Sequence, residues 1–327
     1  MFTRFSCSLL AAFGLFLPAS LAFAEGTEQK YGYKPDSFEI KFYMQPRFTA
    51  DLTEDSNRDT SFRVRRGRVY LTSKVTPNIK GRIQAEVKPE TVDALDVYFD
   101  WTIPVNGVKS LTLTLGQFKK PFSYQELVMS SSNLNLIDRT VSNSLLEKGL
   151  SASARDQGAM IKADLWEYDA PVVLYAGLFN GTGIGEKEDD NSGKQFVARA
   201  DVTPLTGLSV GGNLSVNRLG PEDSSESFSV WGGEVVFAKS GVNVVAEVFG
   251  GDNYATLGSV TDFLAGYAEL IYRSPSGWEP AARFEAVDPD TDTDDDGEII
   301  LTGQIARAFS SNLRWQVNVV HTEPTDN

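Results

Sequence analysis

The sequence has one cysteine, Cys7, and one histidine, His321, among its 327 residues. Zinc sites built from several histidines and cysteines are therefore excluded, and so are cysteine nucleophiles once Cys7 is removed as described below. A serine–histidine arrangement could use only His321, so a lipid hydrolase is the single enzyme class kept as an alternative. We predict no enzymatic activity and no cofactor.

Long apolar runs are also scarce. The longest follows Arg4 and covers residues 9–17, before Pro18 and the small-residue ending Ala22-Phe23-Ala24. It is shorter than the about 20 residues that a membrane-spanning helix needs, which disfavours a membrane anchor. The pattern predicts a secretory signal peptide at residues 1–24, cut after Ala24. Cys7 is removed with it, so the exported chain has no disulfide and depends on a large core or a closed sheet.

Basic residues are outnumbered by acidic ones. Lys and Arg total 30 against 44 Asp and Glu, which gives a net charge of −14. Nucleic acid is not an expected partner, because its backbone is also negative. Many of the acids lie in polar stretches, such as residues 186–190 and 288–298, between apolar segments that carry both signs. The acidity therefore belongs mainly to connections between elements.

What the sequence has in quantity is alternation. Residues 79–88 place Ile79, Ile83 and Val87 on one face and Lys80 and Arg82 on the other. The same period of two recurs at residues 208–217 and 313–319. Segments of about ten residues with this period are typical of a membrane-spanning barrel, with lipid on one side and water on the other. A soluble β-sandwich also alternates, so the period alone does not decide.

The order of the connections favours the barrel. Short turns, such as Thr76-Pro77-Asn78 and Lys239-Ser240-Gly241, alternate with long polar stretches, such as residues 180–194 and 288–297. Bacterial outer-membrane barrels have this arrangement, with the short turns in the periplasm. We predict a transmembrane antiparallel β-barrel at residues 37–327, preceded by a periplasmic segment at residues 25–36. About fifteen candidate strands begin near residues 37, 61, 79, 92, 110, 156, 170, 195, 206, 227, 242, 262, 278, 298 and 312.

One connection differs from the others. Residues 120–150 lack clean alternation and are too apolar for a solvated loop, with apolar runs at 124–129 and 141–146. A long connection in a compact domain is usually functional or disordered. We expect this segment to fold into the lumen and constrict it. The alternative is an outer loop that packs on the rim or on a neighbouring subunit.

Several motifs, in their order along the chain, resemble one family. The arginine-rich stretch 62–71, Phe-Arg-Val-Arg-Arg-Gly-Arg-Val-Tyr-Leu, is similar to the second strand of the phosphate- and polyphosphate-selective porins of Gram-negative outer membranes. The stretch 115–123, Leu-Gly-Gln-Phe-Lys-Lys-Pro-Phe-Ser, is similar to the strand end that enters their constriction loop. Residues 93–101, 137–139, 155–158 and 278–285 also fit. The resemblance runs from residue 37 to the C-terminus. It implies a sixteen-stranded barrel in the outer membrane, a homotrimer, and a lumen that passes anions.

The resemblance is incomplete in strand number. The family's barrel closes with a last strand that ends in an aromatic residue, whereas this sequence ends with residues 320–327 after the fifteenth candidate strand. An odd number of strands leaves an unpaired edge in hydrocarbon, where each unsatisfied backbone group costs several kcal/mol. Either the count of candidate strands is one too low or the closing strand is missing from this sequence, and we favour the second interpretation.

The candidate pore-lining and anion-binding residues are cations. Four fall on the water-facing side of early strands and three near the expected constriction; they are Arg66, Arg68, Lys80, Arg82, Lys119, Lys120 and Arg139. Arginine suits phosphate through its planar fork of donors. We predict a porin for passive diffusion of small hydrophilic solutes, with anions such as phosphate as permeants. Because water-facing acids nearly balance the cations, a general non-specific porin is an alternative. A structural or adhesive barrel without conduction is another.

An acidic stretch near the end of the chain has the spacing of a calcium loop. Asp292, Asp294 and Asp296 precede Gly297, but the twelfth position is Gly303 in place of the bidentate glutamate of an EF-hand. A solvated outer loop is therefore preferred, and calcium is a weak candidate. Such a loop in contact with lipopolysaccharide could bridge its phosphates through divalent ions, and lipopolysaccharide and outer-membrane lipid are expected surroundings of the barrel.

Overall fold

The computed structural model describes residues 2–8, 37–51, 60–149, 154–165, 170–185, 192–219, 226–253 and 261–325. The predicted N-terminal segment 25–36 lies outside these residues, and so does the predicted signal peptide except for residues 2–8.

Antiparallel strands account for nearly all regular structure in the described residues. The strands are β1 (Phe2–Ser8), β2 (Ser37–Asp51), β3 (Thr60–Thr76), β4 (Ile79–Val87), β5 (Val92–Ile103), β6 (Ser110–Lys119), β7 (Arg155–Leu165), β8 (Val172–Phe179), β9 (Gln195–Leu205), β10 (Leu208–Leu219), β11 (Glu226–Lys239), β12 (Val242–Asn253), β13 (Thr261–Tyr272), β14 (Trp278–Asp288), β15 (Glu298–Ser310) and β16 (Leu313–Pro324). Strands β2–β16 begin within two residues of the predicted positions. The prediction of fifteen strands in this part of the chain is confirmed.

Tight turns join the strands along one rim, and several of them contain a glycine with a positive φ angle. Gly207, Gly241 and Gly277 have φ angles of 86°, 84° and 84°. A Cβ atom at Gly207 or Gly241 would stand 2.5 Å from the carbonyl oxygen of Ala238 or Arg273, respectively. Glycine is the residue that adopts this left-handed conformation without steric cost, which explains why these turns were recognisable in the sequence.

Each strand pairs antiparallel with its neighbours in the chain, and β1 lies between β16 and β2 so that the strands form a ring. Phe2–Ser8 pairs over its whole length with β16. Its pairing with β2 consists of Arg4 with Asp51 and Phe5 with Ala50. We expected a strand to be missing at the edge of the sheet. In the structure this place is partly filled by residues that we assigned to the signal peptide. The junction between β1 and β2 is the weakest in the ring.

The two faces of the sheet differ as the alternation predicts. On β4, Ile83 is 48% exposed on the outside, whereas its neighbour Gln84 is 2% exposed on the inside. Elsewhere the outer face exposes apolar side chains such as Leu214, Trp231 and Leu264. The inner face buries polar and charged side chains, among them Arg199, Glu247 and Glu285. This is the lipid-facing and water-facing division of a membrane barrel.

In the part of the chain that the structure describes, helical structure is confined to the connection between β6 and β7. It contains α1 (Tyr124–Leu127), α2 (Val141–Ser144) and a π-helical turn (Leu145–Gly149). No helix among the described residues has the length and apolarity needed to cross a membrane. The connection packs on a cluster of inward-facing apolar side chains, in which the rings of Phe122 and Phe249 stack with centroids 6.2 Å apart. The apolar core therefore lies inside the ring, between this connection and the wall.

Candidate functional site

The segment of residues 120–149, called the inner loop below, lies inside the ring of strands. Its Phe122, Ser123 and Thr140 are fully buried. Glu247 on β12 accepts hydrogen bonds from the backbone N–H groups of Tyr124 (2.8 Å) and Gln125 (2.9 Å). Ser123 Oγ lies 3.3 Å from the same carboxylate. A carboxylate facing inward from the wall thus satisfies the first N–H groups of α1, which have no partner within the helix.

Two further carboxylates on neighbouring strands bind the inner loop in the same way. Glu285 on β14 accepts a 2.7 Å hydrogen bond from the backbone N–H of Val141 in α2. Glu269 on β13 accepts a 2.7 Å hydrogen bond from the side-chain amide of Asn135. The carbonyl oxygen of Asn135 accepts hydrogen bonds from Gln304 (2.7 Å) and Arg314 (3.0 Å). Strands β12–β16 therefore hold the inner loop from the side opposite its point of entry.

One carboxylate of the inner loop lies among three arginines of β2 and β3. Asp138 is 2.7 Å from Arg47, 3.4 Å from Arg65 and 3.8 Å from Arg66, measured between oxygen and guanidinium nitrogen. Burial raises the pKa of Asp138, but Arg47, Arg65 and Arg66 outweigh it and hold the pKa below its usual value. Arg66 also donates to the carbonyl oxygen of Ile137 at 3.4 Å. This cluster anchors the inner loop to β2 and β3.

Two of the predicted cations meet at another carboxylate of the inner loop. Glu126 Oε2 lies 2.6 Å from Arg139 Nε, and Glu126 Oε1 lies 3.6 Å from Lys119 Nζ. Burial raises the pKa of Glu126, yet Lys119, Arg139 and Arg155 together lower it below its usual value. Lys119 also donates to the carbonyl oxygen of Glu126. The positive charge at the predicted constriction is thus partly compensated from within the inner loop.

Lys120 differs from its neighbour Lys119. Its side chain is completely buried and donates to Gln195 Oε1 at 2.9 Å, with Asp156 Oδ2 at 3.7 Å. Burial lowers the pKa of Lys120 to about 8, against the opposing effect of Asp156. An ammonium without solvent-accessible surface does not contact a passing solute. The geometry gives Lys120 a place in the wall that supports the inner loop.

An open cavity of about 450 Å³ remains between the inner loop and strands β3–β7. Five cationic side chains line it, namely Arg68, Arg82, Lys119, Arg155 and Lys162. Two carboxylates do so, Asp96 and Asp100. Neutral lining residues include Tyr70, Tyr98, Phe118, Val128 and Met160. We call this space the cationic cavity.

A second cavity, of about 750 Å³, adjoins the cationic cavity and shares Tyr70, Arg82 and Ser130 with it. It extends to residues 310–312 and Arg273, at the rim of short turns. The two cavities together follow the wall from that rim toward Lys119 and Arg155, at the ends of β6 and β7 on the opposite rim. Open space therefore extends from the arc β3–β7 past β2 to β14–β16 near the rim of short turns.

The seven predicted site residues occupy different places. Arg68, Arg82 and Lys119 line the cationic cavity. Arg66 and Arg139 contact the inner loop through Asp138 and Glu126, respectively. Lys80 is exposed near the short turns and stands opposite Asp100 in the register of β4 and β5. Lys120 is buried away from the cavities. The sequence prediction of the site missed Arg155, Tyr70 and Val128, which also line the cationic cavity.

The electrostatics of the lumen are divided between two arcs of the wall. The arc β11–β14 carries inward carboxylates, and these are engaged: Glu234 with Arg199, Glu247 and Glu285 with inner-loop N–H groups, and Glu269 with Asn135. The arc β3–β7 carries the cations of the open cavity. The inner loop thus covers acidic wall with its N–H groups and leaves cationic wall accessible to solvent.

Two weaker candidate sites are the acidic stretch of residues 292–296 and the single histidine, His321. Asp290, next to the proposed calcium stretch, accepts hydrogen bonds from the backbone N–H of Asp292 (3.1 Å) and from Thr293 Oγ1 (2.8 Å). Throughout the described residues, which include Asp294 and Asp296, no group of three or more His, Cys, Asp or Glu side chains is arranged to hold a metal ion. His321 Nε2 lies 2.7 Å from Glu323 Oε1.

Comparison with known proteins agrees with this architecture. The profile of the phosphate-selective porin O and P family matches residues 38–229, more than half of the chain. No curated protein sequence matches the chain. The fold is similar to the anion-selective porin from Comamonas acidovorans, with a TM-score of 0.62 and 9% identity over 88% of this chain and 99% of that one.

Two other solved structures are similar. In-vitro folded OmpT of Vibrio cholerae in its trimer form gives a TM-score of 0.59 and 16% identity, over 89% of this chain and 90% of that one. The outer membrane channel DcaP of Acinetobacter baumannii gives a TM-score of 0.57 and 10% identity, over 92% of this chain and 99% of that one. At such identities the similarity establishes the fold alone.

Proposed function

The chain belongs to the phosphate-selective porin O and P family of outer-membrane channels, and we propose on that basis that it passes small hydrophilic solutes with a preference for anions such as phosphate. Passage is passive diffusion, without covalent chemistry and without coupling to an energy source. The inner loop narrows the lumen, and the space left beside it is the path.

The charge of the cationic cavity is the observation that supports anion preference most strongly. Its surface presents five cations, Arg68, Arg82, Lys119, Arg155 and Lys162, and two carboxylates, Asp96 and Asp100, whereas Glu86, Glu126 and Asp164, which pair with Arg68, Lys119 and Lys162, lie outside the lining. Inside a narrow, partly desolvated lumen, such an excess lowers the energy of an anion and raises that of a cation. Glu247 and Glu285 of the acidic arc bind N–H groups of the inner loop and lie outside the lining of the cationic cavity.

The ion pairs along the path suit conduction as well as binding. Arg68 Nε is 3.0 Å from Glu86 Oε1, and Arg82 Nε is 3.4 Å from Asp96 Oδ2. An anion that reaches these guanidinium groups replaces part of its hydration shell with charge-assisted hydrogen bonds. Competition from the wall carboxylates keeps each site weak. Conduction requires such weak, successive binding, because a solute must leave each site as readily as it enters.

Competition between ions tests this proposal. The purified protein is reconstituted in a planar bilayer that carries chloride current, and phosphate is added at constant ionic strength. We expect phosphate to lower the chloride current by occupying shared sites. A general non-specific pore would show no competition beyond the change in bulk conductivity. A structural or adhesive barrel would show no channel current at all.

We also propose that the barrel assembles as a homotrimer in outer-membrane lipid and lipopolysaccharide. The trimer form of OmpT supports this assembly by analogy of fold. The apolar outer face, with Leu214, Trp231 and Leu264 exposed, supports contact with lipid and with other subunits. Chemical cross-linking in detergent should give a species of three subunits. Recovery of monomers alone after the cross-linking reaction would contradict the proposal.

A further inference from the structure

The cationic cavity has an apolar side that an inorganic ion would not use. Val128, in the inner loop, is 51% exposed and lines this cavity. Val128 follows the last residue of α1, and its N–H donates at 2.9 Å to the carbonyl oxygen of Tyr124, the first residue of that helix. Leu127, Phe118 and Met160 also line the cavity. A hydrated inorganic anion gains nothing from contact with this surface.

Aromatic and cationic groups line the same cavity. The guanidinium carbon of Arg82 stands 5.1 Å from the centre of the Tyr70 ring. Tyr98 is a further lining residue and packs edge-on against Phe118, with ring centroids 5.9 Å apart. The cavity therefore offers a charged donor and apolar surface to one ligand. Its volume of about 450 Å³ lies within the range of about 300–1,000 Å³ of small-molecule sites.

Because of the ion pairs in the cavity, a ligand with a single negative charge is favoured over a ligand with several. Arg68 is paired with Glu86, while Arg82 and Arg155 both contact Asp96, at 3.4 and 2.5 Å. Each of the three guanidinium groups in the lining thus has some of its donors engaged by a carboxylate. A compact anion such as phosphate needs many donors at once to replace its hydration. A carboxylate needs only one guanidinium group as its partner. The apolar body of a ligand that carries the carboxylate contributes further free energy by burial.

We propose that the cationic cavity preferentially binds monocarboxylates with an apolar body, such as aromatic acids, and binds them better than inorganic phosphate. The carboxylate contacts Arg82 or Arg68, and the apolar body packs on Val128. This inference rests on the proposed anion channel and names the class of anion that its cavity prefers.

The test compares three anions as blockers of chloride current in a planar bilayer: benzoate, acetate and phosphate. We expect benzoate to block at a lower concentration than acetate or phosphate. Acetate presents the same carboxylate without the ring, so the difference between the two measures the apolar contact. Equal block by benzoate and acetate, or stronger block by phosphate, would overturn the inference.

Two matched variants locate the contact. Val128→Thr keeps the shape of the side chain and replaces a methyl with a hydroxyl, which should weaken block by benzoate about fourfold and leave acetate unchanged. Val141→Thr is the control, since Val141 is an exposed valine of the same inner loop outside the cavity lining. Equal effects of the two substitutions would contradict the assignment. An unchanged conductance in KCl shows that the inner loop is still in place.

The result of this test can be distinguished from the result that tests the proposed anion preference. If cations carry the current, the anion preference is wrong, and the same recording still reports whether benzoate reduces the current more than acetate does. If anions carry the current but phosphate blocks best, the anion preference stands and the carboxylate inference fails.

Discussion

The carboxylate of Glu247 accepts a 2.9 Å hydrogen bond from the backbone N–H of Gln125, 122 residues earlier in the chain. The same carboxylate accepts a hydrogen bond from the backbone N–H of Tyr124 and lies beside Ser123 Oγ. One buried glutamate on β12 therefore holds the start of α1 in the lumen. We expect the width of the path to depend on this contact.

Replacing Glu247 should release part of the inner loop. Glu247→Ala leaves the N–H groups of Tyr124 and Gln125 without their acceptor, at a cost of about 3 kcal/mol in loop docking. We expect a larger single-channel conductance with frequent transitions between levels. Glu39→Gln is the control, because Glu39 is exposed and pairs with Lys41. Conductance of Glu247→Ala equal to wild type would show that this contact does not set the width.

Acid should loosen the inner loop through Asp138. Because Arg47, Arg65 and Arg66 lower its pKa in the folded protein, ionised Asp138 stabilises loop docking fully above the usual carboxyl pKa of about 4. This contribution is lost as the pH falls through the lowered value. Conductance levels should be stable near neutral pH and become noisy below about pH 4. In Asp138→Asn the noise should be present near neutral pH too; a quiet Asp138→Asn channel would contradict this anchor.

Thiol labelling should distinguish the lumen from the lipid face. The exported chain is predicted to lack cysteine, so V128C and L214C each introduce a single thiol. Val128 lines the cationic cavity, whereas Leu214 is exposed on the outer face. In lipid vesicles a charged, membrane-impermeant thiol reagent should modify the first variant and spare the second, because thiolates form in water. The reverse pattern of labelling would invert the assignment of the two faces.

Removing a cavity cation should weaken anion binding. Arg82→Gln deletes a charge from the cationic cavity, and one charge at contact distance contributes about 1 kcal/mol, or about fivefold in affinity. Block of chloride current by phosphate should weaken by that factor. Lys239→Gln deletes an exposed charge at the end of β11, outside the cavity lining, and should have no such effect. Identical block in both variants would exclude Arg82 from the path.

The strands could be predicted from the sequence because each carries its own signal. Ile83 and Gln84 differ in polarity and lie on opposite faces, and Gly241 marks a turn that needs a positive φ. Alternation is a local property, so it also identified Arg68 and Arg82 as water-facing. The fold of β2–β16 follows from such signals repeated along the chain.

Alternation could not predict which of the charged side chains line the cavity and which are buried. Lys119 and Lys120 are adjacent in sequence, yet one lines the cavity and the other is completely buried beside Asp156. Their difference depends on how the inner loop packs after β6. The contact of Gln125 with Glu247 likewise depends on the closed shape of the sheet. Nor did alternation predict that Phe2–Ser8 pairs with β16, because we assigned that segment to the signal peptide.

The direction of ion preference is the central claim, and the zero-current potential across a bilayer under a KCl gradient measures it most directly. A channel whose open path is lined by Arg68, Arg82, Lys119, Arg155 and Lys162 should give the sign of a chloride-permeable pore. Arg82→Gln should move the potential toward zero. A wild-type potential with the sign of potassium selectivity would contradict the claim.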